Sequence, residues 1–257
     1  MSTPLEPLLA PDEPPAFITL NPEGKSHFVL VCDHASCQVP RGLDNLGIKV
    51  NELRSHIGWD PGAAQVAQGL AEKLDAPLIM SGYSRLVVDC NRPLQSPESI
   101  PAVVAGITIP GNQQLTSAER LLRVETLFNP YHQTIASLLI KRQHRSTLLL
   151  SIHSFTPQLN GKRRPWQIGV AYFRDRWLAQ SLYENFQKPG DLIVGFNQPY
   201  AIEAEFDYTI PKQGESRGLP SAMLEIRQDG ITNEALAESW IARISTACDE
   251  IQRRSVN

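Results

Sequence analysis

Several features that would place a chain in a specialised class are scarce in this sequence. Four cysteines in 257 residues are too few for a disulfide framework, so we expect reduced thiols. No apolar run is long enough to span a bilayer, and the N-terminal segment lacks the charge and apolar stretch of a secretory signal. The net charge is −3 and no basic stripe is interleaved with aromatic residues. The sequence therefore predicts a cytoplasmic protein that binds neither nucleic acid nor a membrane.

The composition is that of an ordinary globular protein. Apolar residues make up 42% and charged residues 20% of the chain, so a core of real size can form. Residues 1–16 are rich in proline and acid and predict a loose N-terminal arm. Residues 17–257 show no repeat or low-complexity linker and predict a single domain. The sequence does not indicate an oligomeric state.

Apolar, β-branched runs alternate with segments of helical periodicity along the chain. This alternation predicts the α/β class, with a mostly parallel or mixed sheet and helices on both faces. A proline-containing segment, 92–115, is long for a loop and is a candidate lid. The predicted strands are 27–33, 77–80, 85–89, 147–152, 167–172 and 221–226, and the predicted helices begin at Asp60-Pro61 and cover 116–140, 176–187 and 233–251.

Polar residues with distinctive chemistry stand at the ends of four predicted strands. His34 follows the first strand, and Asn91 and Arg92 follow the third. His153 and Glu225 close two later apolar runs. Because α/β sheets bind ligands at the carboxyl ends of their strands, these residues predict a site at one sheet edge.

The residue types at this edge fit metal-assisted hydrolysis. Two histidines and one carboxylate form a catalytic zinc shell that keeps a position open for water. A second carboxylate that is not a ligand can act as a general base, and an arginine can hold a substrate carboxylate. Glu225 is the candidate base and Arg92 the candidate anion-binding residue.

Three motifs resemble those of the zinc carboxypeptidase superfamily: SIHSF (151–155), VVDCNRP (87–93) and LEIRQDG (224–230). The stretch 27–251 more closely resembles the N-formylglutamate amidohydrolase family, through CDHAS, HIGWDPGAA, GYSRLVVDCNRP, IPGNQQLTSAER, SIHSFTPQLNG and GLPSAMLEIRQD. The resemblance implies a three-layer α/β/α fold of the zinc-carboxypeptidase type (phosphorylase/hydrolase-like) with a mixed central sheet. It also implies one zinc ion and hydrolysis of the amide bond of a small N-acyl amino acid. The leading substrate is N-formylglutamate, cleaved to formate and glutamate as in histidine degradation.

The third metal ligand departs from the carboxypeptidase pattern. That pattern has a glutamate three residues after the first histidine, where this chain has Cys37. We predict that Asp60 replaces it, with Cys37 and His56 as alternatives. Asp60 also has the sequence context of a helix N-cap. The DHAS motif differs from the PHS-type motif of better-known formylglutamate hydrolases, which leaves the acyl group and amino acid open.

The predicted roles follow from these matches. His34, Asp60 and His153 are predicted metal ligands, and Glu225 the catalytic base. The predicted substrate-binding residues are Asn91, Arg92, Arg85 and Tyr208, and the partner is a small molecule bearing a carboxylate.

For some residues a structural role is the alternative. Arg85 could form a structural salt bridge, and Tyr208 could be a packed loop aromatic. Arg164 and Arg217 are weaker candidates, predicted to be surface charges.

Three other functions stay open. One is a related metallo-carboxypeptidase, or a deacylase for another N-acyl amino acid. Another is a non-catalytic small-molecule binding protein on a degenerate hydrolase scaffold. The third is a metal-independent amidase that uses Cys37 as its nucleophile.

Overall fold

A seven-stranded sheet forms the centre of the protein in a computed structural model, which describes residues 6–255. The strands are β1 (Phe17–Leu20), β2 (Phe28–Cys32), β3 (Leu78–Ser81), β4 (Leu148–Phe155), β5 (Ile168–Ala171), β6 (Val194–Phe196) and β7 (Ser221–Arg227). They lie in the order β1-β3-β2-β4-β7-β5-β6.

The middle of the sheet is parallel and its edges are antiparallel to it. β3, β2, β4 and β7 run parallel to one another. β1 pairs antiparallel with β3, and β5 pairs antiparallel with β7 and parallel with β6. The predicted mixed α/β sheet is therefore confirmed, and its four parallel strands send their carboxyl ends to one edge.

Helices cover both faces of the sheet. Alternate side chains of β2 enter two different apolar clusters: Phe28 and Leu30 pack with the helices on one face, and Val29 and Val31 pack with a helix on the other. This alternation produces three layers. The helices are α1 (Val50–Leu53), α2 (Ala63–Leu74), α3 (Ser117–Arg123), α4 (Asn129–Lys141), α5 (Trp177–Gln187) and α6 (Glu234–Ser255), with a π-helical turn at Val124–Phe128 between α3 and α4 and another at Ile210–Gly214.

The predicted strand at 85–89 is wrong, because these residues form turns rather than pairing in the sheet. The backbone N–H of Arg85 donates to Gly58 O at 3.2 Å, and that of Asp89 donates to Ser99 O at 2.8 Å. Leu86, Val87 and Val88 are still buried, in a separate apolar cluster. Their apolar run reflected burial in this cluster, which a strand pattern cannot distinguish from burial in a sheet.

Two further sequence expectations need correction. Helix α2 begins at Ala63 with Gly62 as its N-cap, so Asp60 does not cap it. The segment 92–115 is built from short elements: 3-10 turns at Pro97–Ser99 and Pro110–Asn112, and a hairpin that pairs Val103–Val104 with Ile107–Thr108. Strands β1 and β6, of four and three residues, were not predicted.

The described part of the N-terminal segment contacts the domain. Leu8 is buried in the cluster that holds Leu86. The Tyr83 hydroxyl donates to Pro14 O at 2.7 Å, and the Glu13 carboxylate accepts from the Arg41 N–H at 2.7 Å. Residues 1–5 of the predicted arm lie outside the described residues. Between residues 6 and 255, none of the helices has the length and apolarity needed to cross a membrane.

A tight backbone contact beside the site gives a test of the fold. A Cβ at Gly169 of β5 would lie 2.0 Å from Gln198 O, an atom that cannot move away without shifting backbone. We expect Gly169→Ala to lower the free energy of unfolding by about 1–3 kcal/mol, as overpacking does. Gly42→Ala is the matched control, since a Cβ there meets nothing within 4 Å. Equal unfolding midpoints for both variants in urea would contradict this contact.

Candidate active site

The predicted site residues gather at the carboxyl edge of the parallel strands. His34 lies two residues after the end of β2, while His153 and Glu225 lie within β4 and β7 and are partners in the register of these two strands. All three are almost completely buried. The strands continue past His153 and Glu225, which were predicted to close them, so the sheet itself fixes both side chains.

Asp60 holds the two histidines together. Its Oδ2 lies 2.9 Å from His153 Nδ1 and 3.3 Å from His34 Nδ1. The same oxygen accepts from the Ser154 N–H at 3.3 Å. The ligand atoms of the three residues all lie within 4.8 Å of one another, and all three residues are buried. His34, Asp60 and His153 could therefore hold a metal ion.

Each imidazole has a second carboxylate on its other nitrogen. His34 Nε2 lies 2.7 Å from Asp89 Oδ1, and His153 Nε2 lies 3.1 Å from Asp33 Oδ2. With its proton on Nε2 and shared with that carboxylate, a neutral imidazole directs its Nδ1 lone pair toward Asp60, where it can bind a metal. Both histidines thus present the nitrogen that faces Asp60, as a metal site requires.

Asp33 is fixed by a set of hydroxyl donors. Tyr131 and Thr209 donate to its Oδ1 at 2.9 and 2.7 Å, and Ser151 donates to its Oδ2 at 3.0 Å. Burial alone would raise the pKa of Asp33, but hydrogen bonding and charge from His153 lower it to about 2. Asp33 therefore stays ionised and can orient His153.

Asp33 and Asp89 were missed as functional residues, although a signal for them exists. Asp33 directly precedes His34 in the motif CDHAS, and Asp89 lies two residues before Asn91 in VVDCNRP. Their roles depend on which imidazole nitrogen they face, and spacing along the chain does not encode this.

The charges in this cluster fit a cation. Burial would raise the pKa of Asp89, but the charges of Arg85 and His34 hold it well below its ordinary value. Burial is likewise outweighed at Asp60, where the imidazoles lower the pKa. With Asp33, three buried carboxylates therefore face one arginine and the two imidazoles. A divalent cation on the two Nδ1 atoms and Asp60 would balance this negative charge.

Glu225 differs from the carboxylates that pair with the two imidazoles. It is 6% exposed, and its Oε2 has no hydrogen-bond partner within the part of the chain that the structure describes. Burial raises the pKa of Glu225 to about 7. A carboxyl group of this kind, beside the metal ligands, has the properties of a general base.

Arg85 forms the salt bridge considered from the sequence. Its Nη2 lies 2.8 Å from Asp89 Oδ2, and its Nη1 lies 3.7 Å from Asp60 Oδ1 and 3.3 Å from His34 Nδ1. The guanidinium lies against the ligand cluster and lines the same cavity. Its binding of substrate stays a prediction.

Asn91 and Arg92 differ in how many of their side-chain polar atoms already have hydrogen-bond partners. Asn91 Oδ1 accepts from the N–H groups of Tyr208 and Thr209, and its Nδ2 donates to Asp207. Arg92 Nη1 donates to Phe206 O at 2.8 Å, whereas its Nη2 has no hydrogen bond within residues 6–255. Asn91 thus fixes the 207–209 segment, and Arg92 keeps donors for a ligand.

The other candidates lie further from the chemistry. The ring of Tyr208 packs against Phe128 and His132, at 5.0 and 4.6 Å between centroids, as expected of a packed loop aromatic. Cys37 packs beside the cluster that contains Leu86. His56 lines the cavity but lies outside the three-residue ligand group.

A cavity of about 400 Å³ opens onto the ligand group, a size suited to a small molecule. Glu225, Arg85 and Arg92 line it together with His34, Asp60 and His153. Its outer wall is formed by Phe155, Tyr200, Ala201, Glu203, Phe206 and Asp207.

Comparison with known families agrees with this geometry. The model of the N-formylglutamate amidohydrolase family matches residues 26–232, most of the chain. The chain belongs to this family. No functionally curated protein matches the sequence significantly.

Solved structures share the fold. The crystal structure of the gene product Atu2144 from Agrobacterium tumefaciens is 34% identical, with a TM-score of 0.92 over 97% of this chain and 99% of its own. The N-formylglutamate amidohydrolase from Ralstonia eutropha JMP134 is 14% identical, with a TM-score of 0.67 over 93% of this chain and 97% of its own. At that identity the second likeness concerns the fold alone.

Substitution of Asp60 tests the third ligand. Asp60→Asn removes the charge that both histidines face, so we expect zinc affinity to fall by more than the ~10–100-fold typical of losing a residue that only orients a ligand. Cys37→Ser is the control and should bind zinc as the parent does. Calorimetric zinc titration of both folded variants is the measurement. Loss of affinity in Cys37→Ser but not in Asp60→Asn would assign the ligand to the thiol.

Proposed function

We propose that the protein is a zinc-dependent amidohydrolase that cleaves the amide bond of a small N-acyl amino acid. N-formylglutamate, hydrolysed to formate and glutamate, is the leading substrate. The observation that carries this proposal is the buried carboxyl of Glu225, whose Oε2 has no hydrogen-bond partner among residues 6–255, beside three converging ligand atoms. Membership of the N-formylglutamate amidohydrolase family supports amide hydrolysis.

His34, Asp60 and His153 would hold the zinc ion. Their two nitrogens and one carboxylate oxygen match the donor set of catalytic zinc sites. Zinc bound there would supply Lewis acidity and would lower the pKa of water. Asp33 and Asp89 keep the two imidazoles in the tautomer and orientation that this binding needs.

Glu225 moves the proton in the proposed reaction. Its carboxylate takes a proton from the attacking water as the water oxygen bonds to the acyl carbon. It then gives the proton to the nitrogen of the leaving amine as the carbon–nitrogen bond breaks, so formate and an amino acid are released. Its Oε2, buried and without a hydrogen-bond partner in the described part of the chain, is available for both transfers.

Arg92 supplies the anion site for the amino-acid carboxylate in this proposal. Its only carboxylate partners are Glu98, with Oε2 3.3 Å from Nε, and Asp207, with Oδ1 3.5 Å from Nη1, among the described residues. The Glu98 side chain is 58% exposed, so its ion pair is weak and a substrate carboxylate can replace it. Arg85, against the ligand cluster, adds positive charge where the acyl oxygen becomes negative.

Substitution of Glu225 tests the proposal. Glu225→Gln keeps the size of the side chain but removes its basicity, so we expect formate release from N-formylglutamate to slow by about 10²–10⁴-fold. Zinc content should stay unchanged, because Glu225 is not a ligand. Glu184→Gln on the surface of α5 is the control. Zinc-loaded Glu225→Gln with the activity of the parent would rule out this mechanism.

A further inference from the structure

Arg164, predicted to be a surface charge, is instead a buried cation beside the cavity. It is 7% exposed. Its guanidinium carbon lies 4.9 Å from the centre of the Tyr200 ring and 5.5 Å from that of Phe155, and both rings line the cavity. The charge is therefore held directly behind the cavity wall.

The charge of Arg164 is not balanced by a carboxylate. Nη2 donates to the Tyr200 hydroxyl at 2.8 Å, and Nη1 is buried without a hydrogen-bond partner. No ion pair of Arg164 occurs in the span 6–255. A buried charge without a counter-ion is costly, which favours an anion bound nearby.

Tyr200 connects this charge to the cavity. A guanidinium can only donate, so the Tyr200 oxygen accepts from Arg164 and its own proton is left for another acceptor. No hydrogen bond donated by that hydroxyl occurs among the described residues. Tyr200 is 43% exposed and lines the cavity, so its O–H can donate to a bound molecule.

The carboxylates that line the cavity do not neutralise the charge of Arg164. Glu98 and Glu203 line the same cavity, but both are exposed and water screens them. Arg164 is buried, so its field is screened much less. Asp207 is already engaged by Asn91 and lies near Arg92.

We propose that Tyr200, held by Arg164, is the residue that binds the side-chain carboxylate of an acidic N-acyl amino acid in this cavity. This inference rests on the proposed function, in which Arg92 takes the first carboxylate. Tyr200 contacts the substrate, and Arg164 is a positioning residue that fixes the hydroxyl and supplies the charge. The ligand class is an amino acid with a carboxylate in its side chain.

Binding of free amino acids tests the pair without turnover. Zinc-loaded protein is titrated calorimetrically with L-glutamate and with L-glutamine, which differ in the side-chain charge. We expect the parent to bind glutamate about tenfold or more tightly than glutamine, as a hydrogen bond to a charged group predicts. Tyr200→Phe should reduce this ratio to about threefold or less by weakening glutamate binding alone.

Tyr183→Phe is the matched control, because its hydroxyl only accepts from Gln187 on α5. It should keep the selectivity of the parent. In turnover, Tyr200→Phe should raise KM for N-formylglutamate with little change in kcat, which separates binding from a catalytic role.

Three results would overturn the inference: no binding of either amino acid, equal binding of both by the parent, or a ratio that Tyr200→Phe leaves unchanged. Failure of the proposed function looks different. In that case the parent still prefers glutamate over glutamine, and Tyr200→Phe still removes the preference, but no formate is released from N-formylglutamate.

Discussion

The contact of the Asp60 carboxylate with two buried imidazoles is the interaction on which the site depends. His34 and His153 come from neighbouring parallel strands, so their separation is set by the hydrogen bonds between β2 and β4. Asp60 lies in the segment before α2, and its backbone N–H donates to His34 O at 3.0 Å. The sheet thus brings the imidazoles together, and one backbone hydrogen bond places the carboxylate between them.

Without a bound cation, burying these carboxylates costs free energy. Carboxylates removed from water must be paired and hydrogen-bonded, or they destabilise the fold by several kcal/mol. Asp33 is satisfied by three hydroxyl groups, and Asp89 by Arg85, His34 and the Asn91 N–H. Among residues 6–255, Asp60 has only the two imidazoles, the Ser154 N–H and Arg85 at 3.7 Å. The donor set is therefore organised toward a positive ion, in keeping with the proposed chemistry.

The sequence predicted the parallel centre of the sheet because buried strands leave continuous apolar runs, as in Phe28–Cys32. The same signal was misleading at 85–89, where burial occurs away from the sheet. The candidate ligands His34 and His153 were predictable from strand ends, and the candidate ligand Asp60 from motif resemblance. Asp33, Asp89 and the pair of Arg164 with Tyr200 were not, because each depends on side chains brought together from distant segments. Arg164 and Tyr200, for example, lie 36 residues apart.

The most direct test of the account is formate release from N-formylglutamate by zinc-loaded protein, before and after treatment with a chelator and again after zinc is restored. The account predicts turnover that the chelator abolishes and zinc recovers, since His34, Asp60 and His153 would hold the ion on which the reaction depends. Turnover that persists in fully demetallated protein would contradict it. The reaction would then have to proceed without a metal on this carboxylate–imidazole cluster.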